Sequence, residues 1–198
     1  MAGWEPVTLS GQHVTLAPLS LADAPDLAVA AADGRLWELW YTSVPTPEAM
    51  ADDVAAKLAA QEAGTMLPFV VRRRGTGDAL GVTTYCNVDR ETPRLEIGYT
   101  WTRASAQRTG VNTESKLLLL AHAFEVLSCV AVEFRTHWHN RRSRAAIAAL
   151  GAKQDGVLRN HDLWRDGTVR DVVVFSIIDR EWPTARLGLR EKVRSFAG

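Results

Sequence analysis

Hydrophobic and polar positions change period several times along the chain, and the changes mark out its elements. Val7–Leu9 and His13–Ala17 alternate around Ser10-Gly11, which predicts a short first hairpin. Ser20 is placed to cap an Ala/Leu-rich helix running to about Ala32. Thr46-Pro47-Glu48 supplies a cap, a proline and an acid, so a second helix is expected from there to about Glu62, stopped by Gly64. From Leu67 the period becomes that of strands. Phe69–Arg73, Ala79–Cys86 and Leu95–Trp101 are separated by Gly75-Thr76-Gly77-Asp78 and by Asp89–Pro93, the pattern of an antiparallel meander.

A helix over about 110–128 follows, with Leu117, Leu118, Leu120, Ala121, Phe124 and Leu127 predicted as a wide apolar face. Val130–Trp138 then alternates strictly, with Val130, Val132, Phe134, Thr136 and Trp138 on one face and Glu133, Arg135 and His137 on the other. Asn140 can cap a helix through Leu150, with Gly151 just past its end. Val157–Trp164 and Val169–Ile178 flank Arg165-Asp166-Gly167-Thr168 as a hairpin, and a helix near Glu181–Val193 closes the chain. A strand parallel to its neighbour is implied across the 110–128 helix, since such a crossover needs a helix. The expected fold is therefore α+β, one mixed and mostly antiparallel sheet flanked by helices, in a single domain over 1–198.

Composition narrows what such a domain meets. Acidic and basic residues balance at 23 each, so no global field favours nucleic acid or an anionic membrane. Between Phe134 and Arg170, however, eight basic residues face three aspartates, a local surplus of five that suits a small polyanion. Cys86 and Cys129 form no CxxC and no paired framework, and read as free thiols of a reducing compartment. Met1-Ala2-Gly3-Trp4-Glu5 lacks the layout of a signal peptide, and no apolar run approaches membrane length. The expectation is a cytoplasmic protein.

The chemistry concentrates at Gln107-Arg108-Thr109-Gly110-Val111-Asn112-Thr113, a glycine-bearing turn that opens the 110–128 helix. The first amides of a helix have no internal partners and carry partial positive charge, so they bind anions. Gly110 would let the backbone approach a ligand closely, and Arg108 adds charge. The turn reads as a diphosphate cradle. It is not a nucleotide loop of the Gly-Lys-Ser/Thr kind, and no GxGxxG stands at a strand-to-helix junction.

Four motifs in one order then carry a family resemblance, strongest over Leu95–Leu158. They are Glu96-Ile97-Gly98-Tyr99, Gln107-x-x-Gly110-x-Asn112, Asn140-x-x-Ser143, and Leu150-Gly151-Ala152 followed by Asp155-Gly156-Val157-Leu158. Together they resemble the GNAT N-acetyltransferases, and within them the RimJ/RimL-like branch of ribosomal-protein N-terminal acetyltransferases. Asn112 stands where the family usually has a small residue. Asparagine tolerates the left-handed conformation, which keeps the turn available.

The resemblance implies acetyl-CoA as acyl donor and an amine as acceptor, with direct transfer and no covalent enzyme intermediate. It lays the CoA diphosphate on amides of about Arg108–Thr113, and pantetheine along the backbone of Tyr99, Thr100, Trp101 and Thr102. Arg142 or Arg144 would meet the phosphates. Glu96 sits where the family often draws its base, Ser143 could bond or protonate the CoA sulfur, and Asn140 could hold pantetheine or the attacking group. Trp37, Trp40 and Tyr41 would wall the acceptor site. A bulky residue at Gly110 is expected to block the cradle without disturbing the fold. A homodimer is common in the branch.

Each residue also has a plainer reading. Glu96 could be a surface carboxylate on an alternating strand, Asn140 and Ser143 could only cap their helix, and the aromatic trio could pack the first helical layer. His137 and His139 share a strand, but no third metal ligand converges with them in sequence. Neither cysteine has an adjacent histidine base, which argues against an acyl-cysteine route. Two rivals stay open: a non-catalytic acyl-CoA-binding or interaction domain, and an enzyme of the same fold using a larger acyl group such as succinyl. The acceptor is a protein N-terminus or a small amine, and the sequence does not choose between them.

Overall fold

The two hydrophobic periods sort onto the two faces of one twisted sheet. A computed structural model describes residues 4–196; the first three residues of the stretch read for targeting lie outside that range. Eight strands occur: β1 (Leu9–Ser10), β2 (Val14–Pro18), β3 (Met66–Arg73), β4 (Ala79–Asp89), β5 (Arg94–Thr102), β6 (Ala131–His137), β7 (Lys153–Leu163) and β8 (Val169–Ile178). Five α-helices accompany them: α1 (Ala24–Ala32), α2 (Met50–Glu62), α3 (Gly110–Ala121), α4 (Arg141–Ala148) and α5 (Trp182–Arg194). The strand order is β1-β2-β3-β4-β5-β6-β8-β7. Every neighbouring pair is antiparallel except β5 and β6, which run parallel across the α3 crossover. The mixed α+β sheet is as expected. No helix among the described residues is long and apolar enough to cross a membrane.

One core lies between the sheet and α3 with α5, built from residues such as Leu16, Phe69, Tyr85, Ile97, Leu119, Phe134, Ile177 and Leu189. The other lies between the sheet and α1 with α2, where Leu27, Met50 and Val54 meet Val70, Val82 and Trp101. Strand residues therefore alternate between two buried faces in the centre of the sheet. This leaves little room for polar side chains unless each finds a partner.

Several boundaries differ from the sequence expectation, each for a local reason. The helix after Ser20 begins as a 3-10 turn, Leu21–Asp23, because the Asp23 carboxylate is drawn back to the Ser20 amide (2.8 Å) and to Arg72 of β3 (2.5 Å). Thr46-Pro47-Glu48 makes a turn rather than a first helical turn: Thr46 Oγ1 accepts from the Ala49 amide, and α2 starts at Met50. Its end is as predicted, with Gly64 left-handed (φ 74°). The helix at 110 ends as regular α-helix at Ala121 and widens into a π turn over His122–Val126. There the Tyr85 hydroxyl of β4 donates to the Leu119 carbonyl (2.6 Å).

The buried face of α3 is the largest correction. Leu119 and Leu120 are fully buried, whereas Leu117 and Leu118 are half-buried, and the polar triplet Glu114-Ser115-Lys116 is buried too. The helix is covered by the sheet, by α5 and by the β1–β2 hairpin, so its buried surface is not the predicted face alone. Glu114 explains its own burial. Its carboxylate accepts from the amides of Gln12 (2.6 Å), His13 (2.7 Å) and Val14 (2.8 Å), which no strand partner serves at the β1–β2 turn. Gly11 makes room for it, since a Cβ there would lie 2.3 Å from the carboxyl carbon.

Glu114→Ala would strand three amides and open a hole beneath the hairpin. A loss of about 2–4 kcal/mol in unfolding free energy is expected, read from urea denaturation; a loss under about 0.5 kcal/mol would mean that water serves the amides equally well.

Candidate active site

β5 and β6 pair for only three rungs, Arg94 with Ala131, Leu95 with Val132 and Glu96 with Glu133. Beyond Glu96, among the described residues, each continues with its outer neighbour alone. β5 stays on β4 to Thr102, and β6 stays on β8 to His137. The cause is in β5. The β4–β5 register shifts between Val82 and Thr84, so Tyr99 and Thr100 together oppose Thr83, a β-bulge that bends its strand. Tyr99 is left-handed (φ 49°), an uncommon and strained state for a side chain of that size. Thr84 Oγ1 donates to the Gly98 carbonyl (3.1 Å) and Thr83 bonds Thr100 (2.8 Å), tying the bulge to β4. The backbone of about 97–102 thus presents an edge unpaired toward β6.

That edge leads straight to the cradle turn. Thr109 caps α3, its hydroxyl accepting from the Val111 amide and donating to the Ala106 carbonyl. The left-handed residue of the turn is Arg108 (φ 61°), exposed, rather than Asn112, which lies half-buried within α3 beside Thr113. Gly110 is buried. A Cβ there would come within 3.1 Å of the His13 ring and 3.2 Å of Phe196, so its small size also serves packing, and a bulky residue would disturb the fold. Gln107 donates to the Thr102 carbonyl (2.7 Å) and accepts from Arg142 (2.6 Å). One side chain therefore links the end of β5 to the first turn of α4, across the gap.

From α4, Arg142 reaches across that gap to Gln107, whereas Arg144 turns to Trp138. Asn140 caps the helix by accepting from the Ser143 amide (3.0 Å). The Arg144 guanidinium lies 4.2 Å over the Trp138 ring and donates to the Trp138 carbonyl, on the far side from the cradle. Trp101 turns its indole into the α1–α2 core, leaving only its backbone for the edge.

Glu96 occupies the last shared rung and is buried. Asn87, left-handed in a second irregularity of β4, donates to its carboxylate (2.8 Å), and Arg135 of β6 lies 3.5 Å from the same oxygen. Burial raises the Glu96 pKa above the ordinary 4.5, and these two neighbours oppose the rise without cancelling it. The reading of Glu96 as a surface carboxylate is thereby removed. Burial pushes the adjacent Cys86 thiol up to about 12 and Cys129 to about 11, which leaves neither a ready thiolate.

Two residues along β6 from Arg135, on the same face, stands His137. Its ring meets Trp40 edge-on at 5.2 Å and Trp164 at 6.1 Å; His139 lies 5.5 Å from Trp40, and Tyr41 packs on the same indole. The His139 amide donates to His137 Nδ1, so the ring proton of neutral His137 resides on Nε2, and burial beside Arg170 holds its pKa low. The β7–β8 tip fastens this wall: Trp164 donates to the Trp40 carbonyl (2.6 Å) and Arg165 to the carbonyls of Trp37 and Leu39. No three metal-ligating side chains converge among the described residues. Sequence reasoning missed Asn87, Arg135, His137 and Trp164 as members of the site. The alternation that puts Glu133, Arg135 and His137 on one face was the available signal for two of them.

Comparison with known proteins agrees with this geometry. The family profile described as an acetyltransferase (GNAT) domain matches residues 13–153. YdaF of Bacillus subtilis (strain 168), whose name carries a provisional ribosomal N-acetyltransferase assignment, is 30% identical over 106 residues, covering 54% of this chain and 57% of that protein. The chain thus spans little more than half the length of YdaF. A GCN5-related N-acetyltransferase from Brucella melitensis superposes with a TM-score of 0.84 at 25% identity, over 96% of this chain and 86% of the other. RimJ of Mycobacterium smegmatis, solved with CoA-disulfide, shares the fold at 23% identity and a TM-score of 0.82, each chain covered to 98%. A strand pair that diverges beside a helix-opening turn, inside a profile match of this extent, places the protein in a family: the chain belongs to the GNAT acetyltransferases.

Proposed function

We propose that this chain, as one domain over 1–198, transfers an acetyl group from acetyl-CoA directly to a primary amine in a ternary complex. The observation that carries the reading is the unpaired β5 edge, running from buried Glu96 to the amides that open α3. An extended amide-bearing arm can pair with such an edge as a third strand would, and a diphosphate at its end meets the α3 N-terminus. The backbone of Tyr99–Thr102 takes pantetheine. Amides of Arg108–Thr113 take the diphosphate, with Gln107 and Arg142 beside them. Arg144 has no part in this.

The acceptor amine attacks the thioester carbon. A C–N bond forms, the C–S bond breaks, the amine proton leaves to Glu96 directly or through water, and the CoA sulfur takes a proton. Glu96 with a raised pKa is better matched to that transfer than an ordinary carboxylate. Ser143, one turn into α4, bonds the departing sulfur, and Asn140 keeps its amide nitrogen for pantetheine or the amine. Trp37, Trp40 and Tyr41, joined by His137 and Trp164, bound the acceptor. An aromatic and largely neutral wall suits an amine presented on a peptide terminus or on a small molecule with apolar surface.

Thiol release from acetyl-CoA is the test, with Ala- and Ser-initiated peptides, spermidine, free amino acids and an aminoglycoside as acceptors and succinyl-CoA as a second donor. Amine-dependent release with acetyl-CoA is expected. Acetyl-CoA binding, seen as a raised melting temperature, with no release for any amine would instead identify a binding domain.

Glu96→Gln should lower turnover by about 100-fold or more while retaining acetyl-CoA binding. Its stability carries a sign. Because the folded pKa lies above 4.5, the native state holds a proton that the unfolded chain has lost, and stability falls as pH rises through that window. Glutamine has no such loss, so the variant should gain on the wild type between about pH 4.5 and neutrality. A variant less stable than the wild type at pH 7 would show the Arg135 ion pair outweighing desolvation.

A further inference from the structure

Lys116 is the one member of the buried α3 triplet that neither the fold nor the proposed mechanism uses. Its side chain is 5% exposed. Its ammonium donates to Thr100 Oγ1 (2.6 Å) and Thr83 Oγ1 (3.1 Å), and no carboxylate lies within ion-pair distance of it among the described residues. An unpaired buried ammonium is costly; burial pushes this one down to about 7 from 10.5. A leucine or methionine would fill the space at lower cost, so the amine calls for another explanation.

Its two partners supply one. Thr83 and Thr100 face each other across the Tyr99 bulge and are themselves bonded at 2.8 Å. Thr100 can pass its proton on to the Gly98 carbonyl (3.3 Å), which Thr84 also serves. The hydroxyl donors can be satisfied in one sense, with Lys116 donating to both hydroxyls, Thr83 to Thr100, and Thr100 to Gly98. The network thus runs from a buried amine to the peptide that precedes the strained residue. Strained backbone persists only where its surroundings over-determine it, and Lys116 is the anchor of that restraint. Thr100 is exposed on the open edge, so the amine stands one hydroxyl away from it.

We propose that Lys116 is a positioning residue for acyl transfer, holding the Tyr99 bulge through Thr83 and Thr100 so that the open β5 edge keeps the geometry that aligns the thioester. This rests on the acetyltransferase reading above. It requires alignment, and not donor affinity, to fail when the amine is removed, because the α3 amides and most of the edge remain.

Lys116→Met tests it by four readouts. Melting temperature should be unchanged or raised, since an apolar chain replaces a desolvated ammonium. The acetyl-CoA Kd, by calorimetry, should stay within about threefold of wild type while kcat falls about 100-fold. In amide NMR spectra of the free protein, the signals of Gly98–Trp101 should move. A kcat within about threefold of wild type, a kcat loss matched by an equal loss of acetyl-CoA affinity, or unmoved Tyr99 and Thr100 amides would each overturn the proposal. If Lys116→Met fails to fold, Thr83→Val cuts the same network away from the donor edge and should lower kcat about tenfold at unchanged Kd; unchanged kcat there overturns it equally. A wild-type chain that binds acetyl-CoA but acetylates none of the amines defeats the parent reading instead, and the NMR arm then decides the role of Lys116 by itself.

Discussion

A strand has two edges to satisfy, and the edge of β5 that faces β6 is satisfied for only three rungs. Everything attributed to the site depends on that shortfall. Had β5 and β6 stayed in register to Thr102 and His137, the sheet would be closed, with no unpaired edge of β5 beyond Glu96. The bulge at Tyr99 prevents this by adding one residue to β5 against β4. It stores strain at a single left-handed tyrosine, and the threonines on either side hold that residue in place.

The sheet also separates charge. Glu96 lies on the face shared with α1 and α2, while Lys116 reaches up from α3 on the other. Both are buried, and burial drives both toward neutrality: the acid's pKa rises and the amine's falls. Burial thus shifts one acid and one amine on opposite faces of the same open edge.

Much of the architecture was legible in the residues because local chemistry decided it. Asp166-Gly167 made the β7–β8 hairpin, Asn140 capped α4, Gly151 ended it left-handed, and the helix over 110 forced a parallel pair. The misses came where a distant element decided. The apolar face expected of the 110–128 helix left out Glu114-Ser115-Lys116, but Glu114 is committed to a hairpin a hundred residues earlier. Arg144 seemed as able as Arg142 to reach the cradle until Trp138 claimed its guanidinium. Trp164 meets Trp40 only because a hairpin folds over the 36–41 segment, a contact with no trace in local periodicity.

The way the β7–β8 tip is fastened has a consequence for how such a protein diversifies. Its bonds run to main-chain carbonyls of Trp37, Leu39 and Trp40, not to their side chains. Side chains on the 36–41 segment can therefore be exchanged without releasing the tip, and β5 and α3 are left untouched. The face that this segment presents can drift across a lineage as an independent variable, while the framework that carries it stays the same.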